Sequence, residues 1–172
     1  MNLFDYRIFR GKRVLAMDLD MSCVDNRERR RQAEERGRAQ GGEVDYDFFY
    51  DVDNLMLDCP MPRRLALLWR GLDLGMVDEG AHISSRPAFL WFGSAIWLHQ
   101  HGYPFPFHLL LRRQFQKTIA FKREELECIA AVAEQVCFVD DSDAVREGVV
   151  GVPGVSVYAR LEDLFLEWGI AV

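Results

Sequence analysis

Arg13-Val14-Leu15-Ala16-Met17-Asp18-Leu19-Asp20-Met21-Ser22 is the stretch on which the fold is read. Its apolar run, Val14 to Met17, passes straight into two acids one residue apart. A short apolar run that ends in charge suits a buried parallel strand emerging at the carboxyl edge of a sheet. Open α/β sheets place their ligands at that edge. In extended backbone alternate side chains share a face, so Asp18 and Asp20 can address one ligand. Two such carboxylates can divide the labour, one as nucleophile and metal ligand, the other as acid and base. An acidic turn after a strand would look the same locally; the sequence further along separates the two readings.

A chain of 172 residues suggests one domain, residues 1–172, with a substantial core. Hydrophobic residues at 49% and charged residues at 28% place it among globular proteins and not disordered ones. The formal net charge of -6 argues against coating of nucleic acid but leaves room for a local basic site. Cys23, Cys59, Cys128 and Cys137 form no CxxC pair and no disulfide framework. Met1 to Arg13 lacks the apolar centre of a signal peptide, and the run Ala88 to Leu98 is too short to span a bilayer. The expectation is a soluble, cytoplasmic protein with no membrane partner.

After the first strand, Arg27 to Arg38 holds six arginines and three glutamates and reads as a helix or flap ended by Gly37, Gly41 and Gly42. The acidic stretch from Glu43 to Asp58, with Tyr46, Phe48, Phe49 and Tyr50 interleaved, reads with the arginines before it as a solvated face and a loop, or as a small lid at about 24–58 over the Asp18 site whose arginines help to hold an anionic substrate. Pro60 and Pro62 open an amphipathic helix with Met61, Leu65, Leu68, Trp69 and Leu72 on one face, ended by Gly71. Gly80 to Ile83 is a second strand that delivers Ser84-Ser85-Arg86-Pro87, with Pro87 in the first turn of a helix running to about His101 and buried on several sides. A serine there is placed for phosphate, because free N–H groups point outward at a helix start. His99 and His101, two apart, have poor metal spacing on a helix.

Phe107 to Leu111 gives a third strand ending in Arg112 and Arg113. A helix over Phe121 to Glu134 puts Lys122 in its first turn, the wrong end of the dipole for a cation unless an anion compensates. Val136 to Val139 is a fourth strand, and it too runs into acid, Asp140-Asp141-Ser142-Asp143, with Ser142 as N-cap of the next helix. Clustered carboxylates at a strand end repel one another unless a cation or hydrogen bonds relieve them, and Mg²⁺ is the cation suited to that. Val152 to Ala159 is a fifth strand, and an amphipathic helix (Leu161, Leu164, Phe165, Trp168) follows. Strands alternating with helices predict an α/β protein with a parallel sheet.

The order Asp-x-Asp, Ser, Lys, Asp-Asp at successive strand ends and helix starts resembles the haloacid dehalogenase (HAD) superfamily of aspartate-nucleophile phosphatases, from Val14 to about Asp143. Asp18-Leu19-Asp20-Met21-Ser22 is similar to the first motif, Ser84 to the second, Lys122 to the third and Asp140-Asp141 to the fourth. A narrower resemblance, to the phosphatase domain of phage polynucleotide kinase/phosphatase proteins, rests on Ser84-Ser85-Arg86-Pro87, Leu109-Leu110-Leu111-Arg112, Phe121-Lys122-Arg123-Glu124 and Phe138-Val139-Asp140-Asp141. Met21 stands where the motif has glycine, and Thr118 where that subfamily has aspartate. No Gly-x-x-x-x-Gly-Lys-Ser/Thr loop is present, so no kinase half is expected.

The resemblance implies a three-layer Rossmann-like parallel sheet with a small or absent cap, and a Mg²⁺-dependent phosphomonoester hydrolase working through an aspartyl-phosphate. It makes Asp18, Asp20 and Lys122 catalytic and Ser22, Ser84, Ser85, Arg86 and Arg112 substrate-binding, with Asp18, Asp20, Asp140 and Asp141 around the metal. The substrate it implies is a phosphorylated small molecule or a nucleic-acid end, preferably a 3′-phosphate. The alternatives are a HAD phosphatase of another small phosphomonoester and a catalytically inactive binding module of the same fold.

Overall fold

The computed structural model describes residues 4–105, 108–113 and 115–172. In chain order the strands are β1 (Arg13–Met17), β2 (Val24–Asp25), β3 (Cys59–Pro60), β4 (Glu79–Pro87), β5 (Leu109–Arg112), β6 (Gln135–Val139) and β7 (Val155–Tyr158). The helices are α1 (Arg27–Ala39), α2 (Tyr46–Phe49), α3 (Pro62–Asp73), α4 (Trp91–Gln100), α5 (Thr118–Ala130), α6 (Asp143–Val149) and α7 (Leu161–Glu167). Five strands form one parallel sheet in the order β5-β4-β1-β6-β7. The stretch that opens the chain's reading is thus the central strand, with Ala16 between Ala81 and Phe138.

Alternation of side chains along β1 divides the core in two. Leu15 and Met17 face a layer of α3, α4 and α7, where they meet Leu68, Leu98, Leu164 and Phe165. Val14 and Ala16 face α5 and α6 through Phe121, Leu126, Ile129 and Val149. Helices on both sides cover a sheet whose strands are apolar on both faces, giving the three-layer α/β architecture that the sequence implied.

Several boundaries move, each for a physical reason. The second strand does not stop at Ile83: β4 continues through Ser84-Ser85-Arg86 to Pro87, with a register irregularity against β5 between Ser84 and Pro87. Pro87 therefore closes a strand, and a 3-10 turn (Ala88–Leu90) separates it from α4. That helix is buried on one face only, since Phe89 and Phe92 are 73% and 69% exposed. Trp69 also lies outside the buried face expected of α3; it is 46% exposed and its indole N–H donates to the Gly102 carbonyl. Helix α5 begins at Thr118, so Lys122 stands in its second turn and not its first. Of the third strand, Leu109 to Arg112 is seen in place, and Phe107 lies outside the described residues.

Between β1 and α3 the chain makes an insert of α1, α2 and a 3-10 turn (Asp53–Leu57), closed at its base by the antiparallel pair β2–β3. The arginine-dense stretch is a true helix within it. Gly37 does not end that helix but lies inside it, because a side chain there would meet the Val44 backbone at 2.6 Å. Among the described residues no helix is long and apolar enough to cross a membrane.

Candidate active site

The carboxyl ends of β1, β4 and β6 open into a cavity of about 460 Å³ lined by acids from two of these strands. The Asp18 backbone N–H donates to the Val139 carbonyl at 2.8 Å, so the sheet register itself sets this residue beside the end of β6. Asp140 follows directly, its backbone N–H on the Tyr158 carbonyl and one carboxylate oxygen accepting from Ser142 N–H at 3.0 Å. Ser142 caps α6, accepting from the Val145 N–H. From the opposite layer α5 delivers Lys122, whose Nζ lies 2.5 Å from Asp18 Oδ1 and 2.6 Å from Asp140 Oδ2. Three of the four sequence motifs, 104 residues apart at Asp18 and Lys122, meet here.

Lys122 is 2% exposed. Burial works against its charge, but Asp18 and Asp140 outweigh that and raise its pKa, so the amine stays an ammonium. Burial pushes the Asp18 carboxyl up; Lys122 pulls it back, and Asp140 and Asp20 push in the same direction as burial. Asp141, exposed at the cavity rim, is also raised, by burial of its carboxyl and by Asp140. The carboxylates of Asp18, Asp140 and Asp141 bring oxygens within 4.8 Å of one another. Crowded oxygen donors with an excess of negative charge fit a hard divalent cation such as Mg²⁺, and these three residues are the ones that would hold it.

Asp20 does not join them. Its carboxylate is taken by Arg86, at 3.0 Å from Nε and 2.5 Å from Nη2, with Arg29 Nη2 at 3.4 Å. Burial pushes its pKa up, yet the charges of Arg86, Arg29 and Lys122 together win and lower it. Asp20 is therefore an ionised carboxylate at the cavity wall, and the structure gives no support to its side chain as a metal ligand.

Arg86 itself is 2% exposed and fully engaged. Besides Asp20 it donates to Asp58 Oδ2 at 2.8 Å and to Ser94 Oγ at 3.1 Å. Asp58 in turn accepts from Arg29 Nε at 2.8 Å, and Arg29 also donates to the Phe49 carbonyl and lies over the Phe49 ring. Arg29–Asp58–Arg86–Asp20 is thus a buried chain of charges joining α1 and the end of the insert to β4 and the loop after β1. Sequence reading missed Arg29 and Asp58 altogether, and it gave Arg86 to the substrate where the structure gives it to two acids.

The remaining candidates are also redistributed. Ile83 faces the α5 layer, and Ser85, two residues on, lines the cavity. Ser84 is fully buried, its hydroxyl accepting from the Arg86 N–H at 3.2 Å, so Ser85 and not Ser84 is the serine at the cavity. Ser22 is buried with no hydrogen-bond partner for its hydroxyl and is not a lining residue. Arg112 stays beneath the site, donating to the Ser85 and Gln116 carbonyls. Met21 does what glycine would do: it takes φ 62, and Arg64 donates to its carbonyl and to that of Ser22. Of the arginines that the sequence offered as a lid holding an anionic substrate, Arg27 and Arg30 line the cavity at the start of α1, together with Asn26, which was not singled out.

No protein-family model matches the chain, and no curated protein matches it in sequence. Among solved structures it is similar to a class C acid phosphatase from Bacillus anthracis, determined with tungstate bound, at a TM-score of 0.56 and 22% identity. The likeness covers 76% of this chain and 52% of that one, so the chain matches about half the length of its structural neighbour. What the two share at this distance is the fold, a parallel α/β sheet with helices on both sides.

Proposed function

We propose that the protein is a Mg²⁺-dependent phosphomonoester hydrolase that works through an aspartyl-phosphate on Asp18. One observation carries the reading: a strand-end aspartate in an open cavity shares a buried ammonium with a second strand-end aspartate, beside a third carboxylate. Fold likeness to a phosphatase supports it. Asp18 Oδ2 attacks phosphorus, the P–O bond to the leaving group breaks, and the phosphoryl group is left on Asp18. Lys122 neutralises charge on the transferring group and holds the nucleophile in position. Ser85 offers a hydroxyl on the same wall. Water then attacks phosphorus and gives its proton to Asp20, which Arg86 and Arg29 keep ionised and oriented, while the P–O bond to Asp18 breaks and inorganic phosphate leaves with the carboxylate restored. In the first half-reaction the leaving oxygen takes its proton from solvent water, because Arg86 and Arg29 hold Asp20 ionised. Mg²⁺, when bound by Asp18, Asp140 and Asp141, supplies the positive charge that lets an anion approach a phosphate.

The substrate in this reading is a phosphate on a nucleotide or a nucleic-acid end, with the 3′ position preferred. Neither Arg86 nor Arg112 carries that choice, since both are committed inside the protein. The support comes from the guanidinium groups of α1 at the cavity mouth. Phosphate release from an aryl phosphate in the presence of Mg²⁺ tests the activity. Asp18→Asn should reduce it by at least about a thousandfold, since the variant loses nucleophile and metal charge together. Hydrolysis by that variant at the wild-type rate refutes Asp18 as nucleophile.

A further inference from the structure

The cavity has a second, uncommitted wall. Helix α1 starts there, and its Asn26 N-cap is 6% exposed yet makes no side-chain cap hydrogen bond, nor any other side-chain hydrogen bond among the described residues. Asn26 lines the cavity, as do Arg27 and Arg30 from the next turn. A largely buried side chain whose unpaired amide opens only into the cavity marks a place where a ligand completes the hydrogen bonding. The Arg27 N–H is taken by Asp25 Oδ1 at 3.1 Å; the helix dipole and the remaining first-turn N–H groups make that ligand an anion.

The two arginines differ in kind from the buried pair below them. Arg27 rests on Asp25, at the end of β2, and Arg30 on Glu34, one helical turn on, with side chains 76% and 63% exposed. Exposed local ion pairs of this sort contribute little and exchange readily. Arg29 and Arg86, by contrast, are locked among buried acids. So the fold commits one set of guanidiniums to the interior and holds another in exposed ion pairs that a phosphate in the cavity can displace.

We propose that Asn26, Arg27, Arg30 and the start of α1 form an anion subsite that binds a second phosphate of the substrate, beside the phosphate held at Asp18. This rests on the phosphatase reading and specifies its substrate class: a phosphomonoester that carries another phosphate, as a phosphorylated nucleotide end does. Arginine forks match phosphate oxygens two at a time. Past Arg30 the surface changes character. The adjoining depression is lined by Arg30, Glu34, Arg38, Gly42, Glu43 and Val44, two arginines balanced by two glutamates, so it offers a third phosphate no net attraction. The subsite therefore takes one additional phosphate and gains little from a longer strand.

The test compares wild type with the Arg27→Gln/Arg30→Gln double variant on four substrates: an aryl phosphate, a 3′-phosphorylated dinucleotide, a 3′-phosphorylated decanucleotide and a sugar bisphosphate. The expected result is a fall of about tenfold to a hundredfold in kcat/KM for the dinucleotide relative to the aryl phosphate, carried mainly by KM, with the decanucleotide following the dinucleotide. A sugar bisphosphate that falls equally shows recognition of the phosphate alone; a smaller fall shows that the nucleotide scaffold sets its position. Equal losses on the aryl phosphate and the dinucleotide overturn the subsite while leaving the phosphatase reading intact. No hydrolysis of any of the four by wild type with Mg²⁺ overturns the phosphatase reading itself.

Discussion

Asp58→Asn is the perturbation on which the buried charge chain makes its largest claim. The Asp58 carboxylate has no exposure and bridges two guanidiniums, Arg29 Nε and Arg86 Nη2, each at 2.8 Å. Arg29 is likewise fully buried, and Arg86 shows 2% of its side chain. Burial raises the Asp58 pKa against the pull of both arginines, and it lowers that of Arg29, so the charges hold one another in place. The amide keeps the shape but leaves two buried cations sharing Asp20 alone. Breaking a buried pair from one side costs about 3–5 kcal/mol, and here one substitution weakens two pairs. Against a total stability on the order of 5–15 kcal/mol this is a large share. With a urea slope of about 2 kcal/mol/M the unfolding midpoint should fall by about 2 M. Urea titration followed by tryptophan fluorescence measures it. Arg29→Met/Asp58→Leu, which removes one charge of each sign and leaves Arg86 with Asp20, should lose less than Asp58→Asn alone. A loss under about 1 kcal/mol for Asp58→Asn, or a double variant less stable than the single one, refutes the claim that these groups are charged and mutually dependent.

Other consequences can be checked separately. His82 is fully buried, and desolvation lowers its pKa from 6.5 to about 4, with a small lowering from His108 and an opposing contact to the Pro104 carbonyl. The unfolded chain then binds the proton first, so this contribution to stability is whole above pH 6.5 and is lost as pH falls toward 4. At about 1.4 kcal/mol per pH unit it is worth about 3 kcal/mol, and His82→Leu should flatten that part of the stability–pH curve; an unchanged slope refutes it. Met21, at φ 62, occupies a left-handed conformation that costs a side chain about 1–2 kcal/mol. Met21→Gly recovers that less the extra chain entropy of glycine, a net gain of about 0.5–1 kcal/mol and a rise of about 2 °C in Tm. A lower Tm would show that the methionine side chain contributes more by packing than its backbone loses.

What the sequence made legible is the part that depends on short runs. Continuous apolar segments such as Val136 to Val139 can be satisfied only by a strand covered on both faces, and alternation with helices then dictates a parallel sheet. The acids that end two of these runs fall at one edge, which is how Asp18 and Asp140 come within reach of one lysine. Ser84-Ser85-Arg86-Pro87 failed the same logic. Its polar residues resemble a loop, and nothing local shows that β4 continues through it because Asp20 and Asp58 neutralise Arg86 in the interior.

The arginine-dense helix shows where the limit lies and how it could be moved. Six arginines among glutamates read as a solvated face, and for Arg27, Arg30, Arg31 and Arg36 that is what the structure gives, each paired with a nearby surface acid. Arg29 is the exception, and its partner stands 29 residues away, beyond any local rule. Its face was nevertheless written in the chain. The buried residues of α1 are Arg29, Ala33 and Gly37, spaced by four, and no other face of that helix is made of small residues. A stripe of small residues at helical spacing lets another segment approach closely, as the Val44 backbone does at Gly37. An arginine at the head of such a stripe must enter the interior with it, and a buried arginine requires a buried acid. Asp58, the last acid of the insert and next to the ribbon strand β3, is the residue the closing chain brings back to that position. The same periodicity assigns Arg27 and Arg30 to other faces of α1, and that difference in face separates the arginine locked among buried acids from those held in exposed pairs at the cavity.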